Sequence, residues 1–277
     1  MTPNRFSLAT LLLLLAALPA WGKSALRVEA LQGPNWIERG SVRAPTQAGQ
    51  ALEAGDTLRS GREARSVVKF PDGSRFQLGE NTAARLEAHR AADGRTLFAI
   101  PHGAYRLSTT QPAAGNPRDI QLKTGTLAID IRHADLWGAT RKNSDTACLL
   151  EGRIVVMRAN KLLSLEEAPA CLDAAPTQQE VDEWLRQTGL AAGHGVIRAD
   201  GAWKVNVLSL AKRTDLAQLL AKLRANGYPA EIVKVRVKRR NFFRLRIAGL
   251  ASKHDAQYLA ERLKKDKKIE GLWVSPD

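Results

Sequence analysis

The sequence lacks the residue groupings from which most catalytic and metal sites are built. It has two cysteines with no histidine at metal-ligand spacing, no glycine-rich phosphate loop and no Gly-x-Ser-x-Gly elbow. The histidines are few and scattered: His89, His102, His133, His194 and His254. The sequence therefore predicts no catalytic residue, no metal site and no cofactor, and we expect a protein that is not an enzyme.

Long apolar runs are also missing, apart from one near the N-terminus. The run 8–18 is too short to cross a bilayer, which needs about 20 apolar residues. It follows Arg5 and precedes Ala20-Trp21-Gly22, which is the layout of a secretory signal peptide cleaved after Gly22. An uncleaved membrane anchor is the alternative. We expect residues 1–22 to be a signal peptide and the remainder to be an exported, soluble, periplasmic protein.

Cysteine is scarce, and export determines how the two cysteines are interpreted. Cys148 and Cys171 would meet an oxidising compartment, where disulfides persist. A disulfide between them requires Cα atoms about 4–7 Å apart, which the sequence does not show. We expect the pair to form, with two free thiols as the alternative.

Acidic residues are depleted in the last quarter of the chain. The whole chain carries 42 Lys and Arg against 28 Asp and Glu, and residues 202–277 alone hold 18 against 7. Such a basic segment attracts anionic partners or surfaces, and salt weakens the attraction. The alternative is a solvated basic surface with no specific partner.

Short alternating runs between turn signals fill the region from about residue 26 to 165. The predicted turns include Pro101-His102-Gly103 and Glu151-Gly152. Residues 66–82 form the clearest unit, because two alternating strands flank Pro71-Asp72-Gly73, a hairpin signal. This pattern predicts an all-β domain over residues 23–175. The predicted strands are 66–70, 75–78, 96–100, 104–107, 119–122, 126–131 and 153–157.

Residues 55–86, GDTLRSGREARSVVKFPDGSRFQLGENTAARL, resemble the FecR domain. The Gly-Asp, the Ser-Gly turn, the Asp-Gly-Ser turn and the Asn-Thr of that family all stand here. Residues 122–157 look like a weaker version of its second half. Some family members relay an outer-membrane signal to a sigma-factor system through a transmembrane helix, for which this sequence has no segment. The resemblance therefore implies the fold, and signalling is not carried over.

A helix and a linker are predicted over residues 176–201. Thr177 and Glu180 are spaced as in a capping box, Trp184 lies on the apolar face, and Gly189 suits the end of the helix. Residues 191–201 are rich in glycine and read as a flexible linker.

Residues 202–277 alternate strand and helix patterns in the order β-α-β-β-α-β. Thr214 is predicted to cap the first helix, Arg239-Arg240-Asn241 to form a turn, and Ser252 with Asp255 to form a capping box. This order predicts an α+β domain, with a four-stranded antiparallel sheet and two helices on one face.

The strand period of two separates the faces of that sheet. Val205, Val207, Leu245, Ile247, Leu272 and Val274 are predicted to point toward the helices. Aromatic rings, an amide and cations remain for the opposite face, a composition typical of a binding surface. The alternative is that the rings pack against the linker or the other domain. The candidate site residues on that face are Lys204, Asn206, Phe242, Arg244, Arg246 and Trp273.

This domain resembles the SPOR domain, an RNP-like fold. Leu223-Arg224-Ala225-Asn226-Gly227-Tyr228-Pro229-Ala230 and Phe243-Arg244-Leu245-Arg246-Ile247 carry the resemblance. SPOR domains bind peptidoglycan glycan strands that amidases have stripped of stem peptides, and many concentrate at the division septum. The resemblance places the family's Gln at Asn206, its Ser at Ser209 and its last-strand aromatic at Trp273.

Peptidoglycan glycan strands are accordingly the expected partner, and the expected role is in the cell envelope or cell division. Lys264, Lys265, Lys267 and Lys268 would add attraction to stem-peptide carboxylates or to a non-specific anionic membrane surface. The alternative function is a signalling or scaffold protein that holds a protein partner through the FecR-like domain. RNA also stacks on sheets of this type, and nucleic-acid binding is a third interpretation, but an exported protein seldom meets RNA, so we expect no nucleic-acid partner.

Overall fold

The computed structural model describes residues 25–90, 95–111, 119–142 and 144–277. The predicted signal peptide, residues 1–22, lies outside the described residues. Within them, no helix combines the length and the apolarity needed to span a bilayer. The described chain is mostly β: its strands join one continuous sheet, antiparallel except at one pair, with three α-helices packed on it.

The N-terminal part consists of strands because apolar and polar residues alternate there and each strand buries one side. Phe76, Leu78, Phe98, Leu107 and Ile129 are among its fully buried side chains. The strands are β1 (Arg27–Gln32), β2 (Asn35–Arg39), β3 (Val42–Pro45), β4 (Thr57–Ser60), β5 (Arg65–Lys69), β6 (Arg75–Leu78), β7 (Ala83–Arg90), β8 (Arg95–Ser108), β9 (Asp119–Lys123), β10 (Leu127–Arg141), β11 (Ser144–Arg158), β12 (Lys161–Leu165) and β13 (Ala170–Cys171).

The hairpin predicted around Pro71-Asp72-Gly73 is confirmed. Strands β5 and β6 pair antiparallel, with Val68 opposite Phe76. The backbone N–H of Ser74 donates to the Asp72 carboxylate at 2.8 Å, which closes the turn.

Two predicted turns are wrong, because the chain runs through them as long, bent strands. Pro101–Gly103 lies inside β8, whose first half pairs with β7 and whose second half pairs with β6 and β10. Only glycine fits at position 103, because a Cβ there would lie 2.2 Å from the Thr82 hydroxyl oxygen. Glu151–Gly152 is likewise an irregularity within β11. Gly and Pro mark bulges and bends in strands as well as turns between them.

The predicted disulfide is present. Cys148 of β11 and Cys171 of β13 are bonded, with sulfur atoms 2.02 Å apart. Trp137 of β10 lies opposite Cys148 and stacks on Trp184, with ring centroids 4.5 Å apart. The disulfide and the two rings form a small apolar cluster beside the main core.

Helix α1 (Gln178–Thr188) supplies Trp184, and its ends agree with the sequence. The Thr177 side chain accepts a hydrogen bond from the Glu180 N–H, and the Glu180 carboxylate accepts one from the Thr177 N–H. This capping box was predicted, as was the end of the helix at Gly189.

Strand and helix alternate in the C-terminal part. The strands pair antiparallel in the order β16 (Glu231–Val237), β17 (Arg240–Leu250), β15 (Trp203–Leu210) and β18 (Trp273–Pro276), and the helices cover one side of them. Val205, Leu245 and Ile247 point into the core on that side and are fully buried. The elements are β15 (Trp203–Leu210), a 3₁₀ turn (Thr214–Leu216), α2 (Ala217–Ala225), β16 (Glu231–Val237), β17 (Arg240–Leu250), α3 (Lys253–Lys267) and β18 (Trp273–Pro276).

Three local predictions in this part need correction. Thr214 does not cap α2, because it begins the 3₁₀ turn and bonds Asp215 instead. The β16–β17 turn is Lys238–Arg239, one residue earlier than predicted. Ser252 caps α3 as predicted, because its Oγ accepts a hydrogen bond from the Asp255 N–H, but the capping box is not reciprocal, because the Asp255 carboxylate accepts from Ser252 Oγ and from Gly195 instead of the Ser252 N–H.

The segment 191–201 is not an open linker. Its residues Val196–Arg198 form strand β14, which pairs with β1 on one side and with β17 on the other. Ile197 is buried at this junction, opposite both Leu31 and Leu250. One short strand thus joins the N-terminal and C-terminal parts into a single sheet.

Candidate functional site

The helix-free side of the C-terminal sheet, here called the open face, carries the residues predicted as the ligand site. Asn206 of β15 lies between Trp273 of β18 and Arg246 of β17. Ser209 lies opposite Arg244 in the next row. Lys204 and Phe242 follow at the two-residue spacing of the same strands. The register thus brings all seven predicted side chains to one face.

Asn206 lies in the open face but is not accessible. None of its surface is exposed, and its Nδ2 donates to the Trp273 carbonyl oxygen at 3.4 Å and to Ser275 Oγ at 3.1 Å. The amide therefore fastens the edge strand β18 to β15. The expectation that Asn206 offers its amide to a ligand is corrected: it positions the strand that carries Trp273.

Asp277 neutralises the cations at one end of the open face. Its Oδ1 accepts hydrogen bonds from Lys204 Nζ at 3.1 Å and from Arg246 NH1 at 2.9 Å, and Arg246 Nε donates to Glu231 at 2.8 Å. The hydrogen bond from Lys204 lowers the pKa of Asp277, and the nearby charge of Arg246 adds to the effect. Lys204 and Arg246 thus belong to an internal ion-pair network and are not the free cations that the sequence suggested.

Trp273 and Arg244 form the accessible centre of the open face. Trp273 is 39% exposed, and the Arg244 guanidinium carbon lies 5.1 Å from the centroid of its ring. Arg244 Nε donates to Ser209 Oγ at 3.0 Å, which fixes the guanidinium beside the ring. Among the residues that the structure describes, no acidic side chain pairs with Arg244. The centre therefore combines a stacking surface with a positioned cation whose charge is not neutralised.

Comparison with protein-family models matches both parts of the chain. The model "FecR protein" matches residues 56–155, and the model "SPOR domain" matches residues 199–275. The chain carries a FecR domain followed by a SPOR domain. Both resemblances and their order were deduced from the sequence and are confirmed.

Two of the solved structures that the chain resembles are crystal structures of a Parabacteroides distasonis protein described as a "putative anti-sigma factor". The 1.65 Å structure is 14% identical over 47% of this chain, with a TM-score of 0.39, and the chain spans 64% of its length. The 2.50 Å structure is 13% identical over 76% of this chain and 91% of its own, also with a TM-score of 0.39. No curated protein matches the chain.

The N-terminal part of the chain packs on the helix side of the SPOR domain, away from the open face. Trp36 Nε1 donates to the carbonyl oxygen of Ala225, at the end of α2, at 3.2 Å. Arg262 of α3 pairs with Glu63 at 3.3 Å. These contacts involve the helices, so the N-terminal part does not cover the exposed Trp273 ring on the open face.

A groove of about 1620 Å³ runs along the outer side of the FecR domain, over strands β7 to β12. Several of its polar side chains pair across the strands. In the described ranges, no cluster of three His, Cys, Asp or Glu residues could hold a metal ion. The pairs are Arg95–Asp119, Gln121–Asp130 and Arg153–Glu166.

Sequence reasoning missed the two acids of the open face, Glu231 and Asp277. A signal for Asp277 was present, because Trp273, Ser275 and Asp277 are spaced by two along the last strand and share its outer side. The sequence contains no comparable signal for the hydrogen bond from Asn206 to Ser275, because it joins residues far apart in the chain.

Proposed function

We propose that the protein is a periplasmic, non-enzymatic peptidoglycan-binding protein of the cell envelope, active in cell division. Its SPOR domain binds glycan strands that carry no stem peptides. The observation that supports this is the exposed Trp273 ring with the Arg244 guanidinium held beside it. Sugars stack on aromatic rings through their C–H groups, while guanidinium and hydroxyl groups bond the polar substituents.

The charge balance of the open face explains a preference for stripped strands. An amidase cuts the amide between the stem peptide and the lactyl group of muramic acid, and a carboxylate remains on the sugar. Arg244 provides a cation for that carboxylate, whereas Lys204 and Arg246 are already neutralised by Asp277 and Glu231. Intact peptidoglycan presents an amide at the same position and offers Arg244 no charge.

Sedimentation with sacculi tests the proposal. Residues 23–277 should pellet with amidase-treated sacculi more than with intact sacculi. Trp273→Ala should weaken binding to treated sacculi by about 10-fold or more, because the stacking surface is lost. Leu162→Ala is the matched control, since Leu162 is an exposed apolar residue of the other half of the chain. Equal binding to both kinds of sacculi, or full binding by Trp273→Ala, would contradict the proposal.

The role of Arg244 has a separate test that uses the ligand as well as the protein. Arg244→Ala should lower affinity for stripped glycan about 5- to 10-fold, as expected for one partly exposed charged pair. Amidation of the glycan carboxylates should weaken the parent protein by a similar factor and leave Arg244→Ala unchanged. Additive losses from the two changes would show that Arg244 does not bind the carboxylate.

A scaffold or signalling role for the FecR domain is the second candidate, and one observation favours it. Strand β12 lies at a sheet edge and exposes Leu162 and Leu163, next to exposed Met157 of β11. Exposed apolar edges of this kind accept an extended segment of a partner protein. Crosslinking from position 162 in cells should capture such a partner, also in the Trp273→Ala background. Capture only through the SPOR domain would argue against it.

A further inference from the structure

The β16–β17 hairpin projects beyond the rest of the SPOR sheet. Leu210, the last residue of β15, pairs with Phe243. From Phe242 to the turn, β16 is the one described strand that pairs with β17: Val235, Arg236 and Val237 lie opposite Phe242, Asn241 and Arg240. Among the described strands, none lies beside the last three rows of the hairpin, and the turn residues Lys238 and Arg239 form its tip.

The hairpin is basic and has no acidic residue to balance it. No Asp or Glu occurs between Glu231 and Asp255 in the sequence. All five of its outer cations are exposed, and no acidic side chain pairs with any of them among residues 25–90, 95–111, 119–142 and 144–277. The tip is therefore a local concentration of uncompensated positive charge. These five cations are Lys234, Arg236, Lys238, Arg239 and Arg240.

One side of the same hairpin carries most of its apolar side chains. Val235, Val237 and Phe242 share the side that continues the open face, with Arg240 opposite Val237. Val237 is 42% exposed, and the other two are partly exposed. A purely anionic ligand would not explain why these apolar side chains are exposed. A lipid interface accommodates both apolar side chains and cations.

The turn contains residues that its backbone disfavours. Lys238 and Arg239 have positive φ angles of 45° and 67° in a two-residue hairpin turn. Such a turn favours Asn-Gly, because side chains with a long stem are strained in the left-handed region. Two cations therefore stand where the fold alone would favour other residues, and an outlier of this type points to a function of those side chains.

We propose that this hairpin docks the protein on an anionic membrane surface, with the tip cations among the lipid phosphates and Val237 at the apolar boundary. The surface is distinct from the glycan-binding centre at Trp273. The sequence suggested the lysines of α3 for contact with an anionic membrane, whereas this proposal places the contact on the β16–β17 hairpin.

Binding to vesicles of phosphatidylglycerol and phosphatidylcholine tests the docking, with residues 23–277 as the protein. Lys238→Asn combined with Arg239→Gly should weaken vesicle binding about 30-fold, as expected from removing two surface cations. The same variant should melt about 2–4 °C higher, because Asn-Gly relieves the turn. Lys264→Gln with Lys265→Gln removes the same charge from α3 and should change binding by less than about 3-fold.

Several outcomes would overturn the proposal. They are full binding by the Asn-Gly variant, an equal loss in the α3 variant, and equal binding to vesicles of phosphatidylcholine alone. Val237→Ser should weaken vesicle binding but not binding to duplex DNA. If it leaves both unchanged, the hairpin recognises polyanions in general and not a lipid surface. Trp273→Ala should bind vesicles as the parent does, so the glycan proposal can fail without this one failing.

Discussion

Replacing Asp255 with alanine is expected to lower the free energy of unfolding by about 3 kcal/mol and to release strand β14. Asp255 is 3% exposed at the start of α3. Its Oδ1 accepts hydrogen bonds from the backbone N–H groups of Gly195 at 3.0 Å and Val196 at 2.9 Å. Its Oδ2 accepts one from Ser252 Oγ at 2.6 Å. The carboxylate thus ties the segment between the domains to the first turn of α3.

The expected cost comes from leaving buried donors without acceptors. Gly195 and Val196 are both buried, so water does not readily replace the carboxylate. A hydrogen bond to a charged group is worth about 1.5–3 kcal/mol, and a buried donor left unpaired costs about 1–3 kcal/mol. Asp255→Asn should lose less, because an amide oxygen still accepts from both N–H groups.

Urea unfolding gives the stability, and hydrogen exchange at the amides of Gly195 and Val196 gives the local effect. Both amides should lose protection in Asp255→Ala before the strands of the FecR domain do. Glu261→Ala is the matched control, since Glu261 is an exposed acid on the same helix. Unchanged protection at these two amides would show that Asp255 does not hold β14.

Removal of the disulfide should have an effect of similar size. Cys148→Ala with Cys171→Ala is expected to destabilise the protein by about 3 kcal/mol, because the bond closes a loop between residues 23 apart in the chain. The Trp137–Trp184 stack lies against the same bond, so that α1 should loosen together with it.

Thermal unfolding with and without a reductant measures this effect. Reductant should lower the melting temperature of the parent protein toward that of the double variant and should not affect the variant. Near-ultraviolet circular dichroism should report the loss of the tryptophan stack. A double variant as stable as the parent, or one that keeps its tryptophan signal, would contradict the assignment of the disulfide as the anchor of α1.

Local sequence signals predicted those parts of the fold whose causes are local. The Pro71-Asp72-Gly73 turn and the Thr177–Glu180 capping box need only a few neighbouring residues, and both have the predicted form. The two-residue strand period also brought the predicted site residues to one face of the sheet, except Ser209, which reaches that face through an irregularity between Asn206 and Leu208. Apolar burial fixes that register, because a slip of one residue would expose the core.

Partners that are distant in the sequence account for most of what was missed. The pairing of β14 with β1 joins residues more than 160 positions apart, and its glycines resembled those of a flexible segment. The burial of Asn206 depends on Ser275, and the neutralisation of Lys204 depends on Asp277. Pro101–Gly103 resembled a turn because Gly and Pro occur both at bends within a strand and at turns between two strands.

The shared strand β14 has a mechanical consequence. If the SPOR domain is attached to a glycan strand and the FecR domain is held elsewhere, a pull between them acts directly on the backbone hydrogen bonds of β14 with β1. A flexible linker between the domains would first extend under such tension, and it would transmit force only once it was fully extended. Here a load on the SPOR domain would reach the first strand of the N-terminal sheet at once, and tension between the domains would become strain in that sheet.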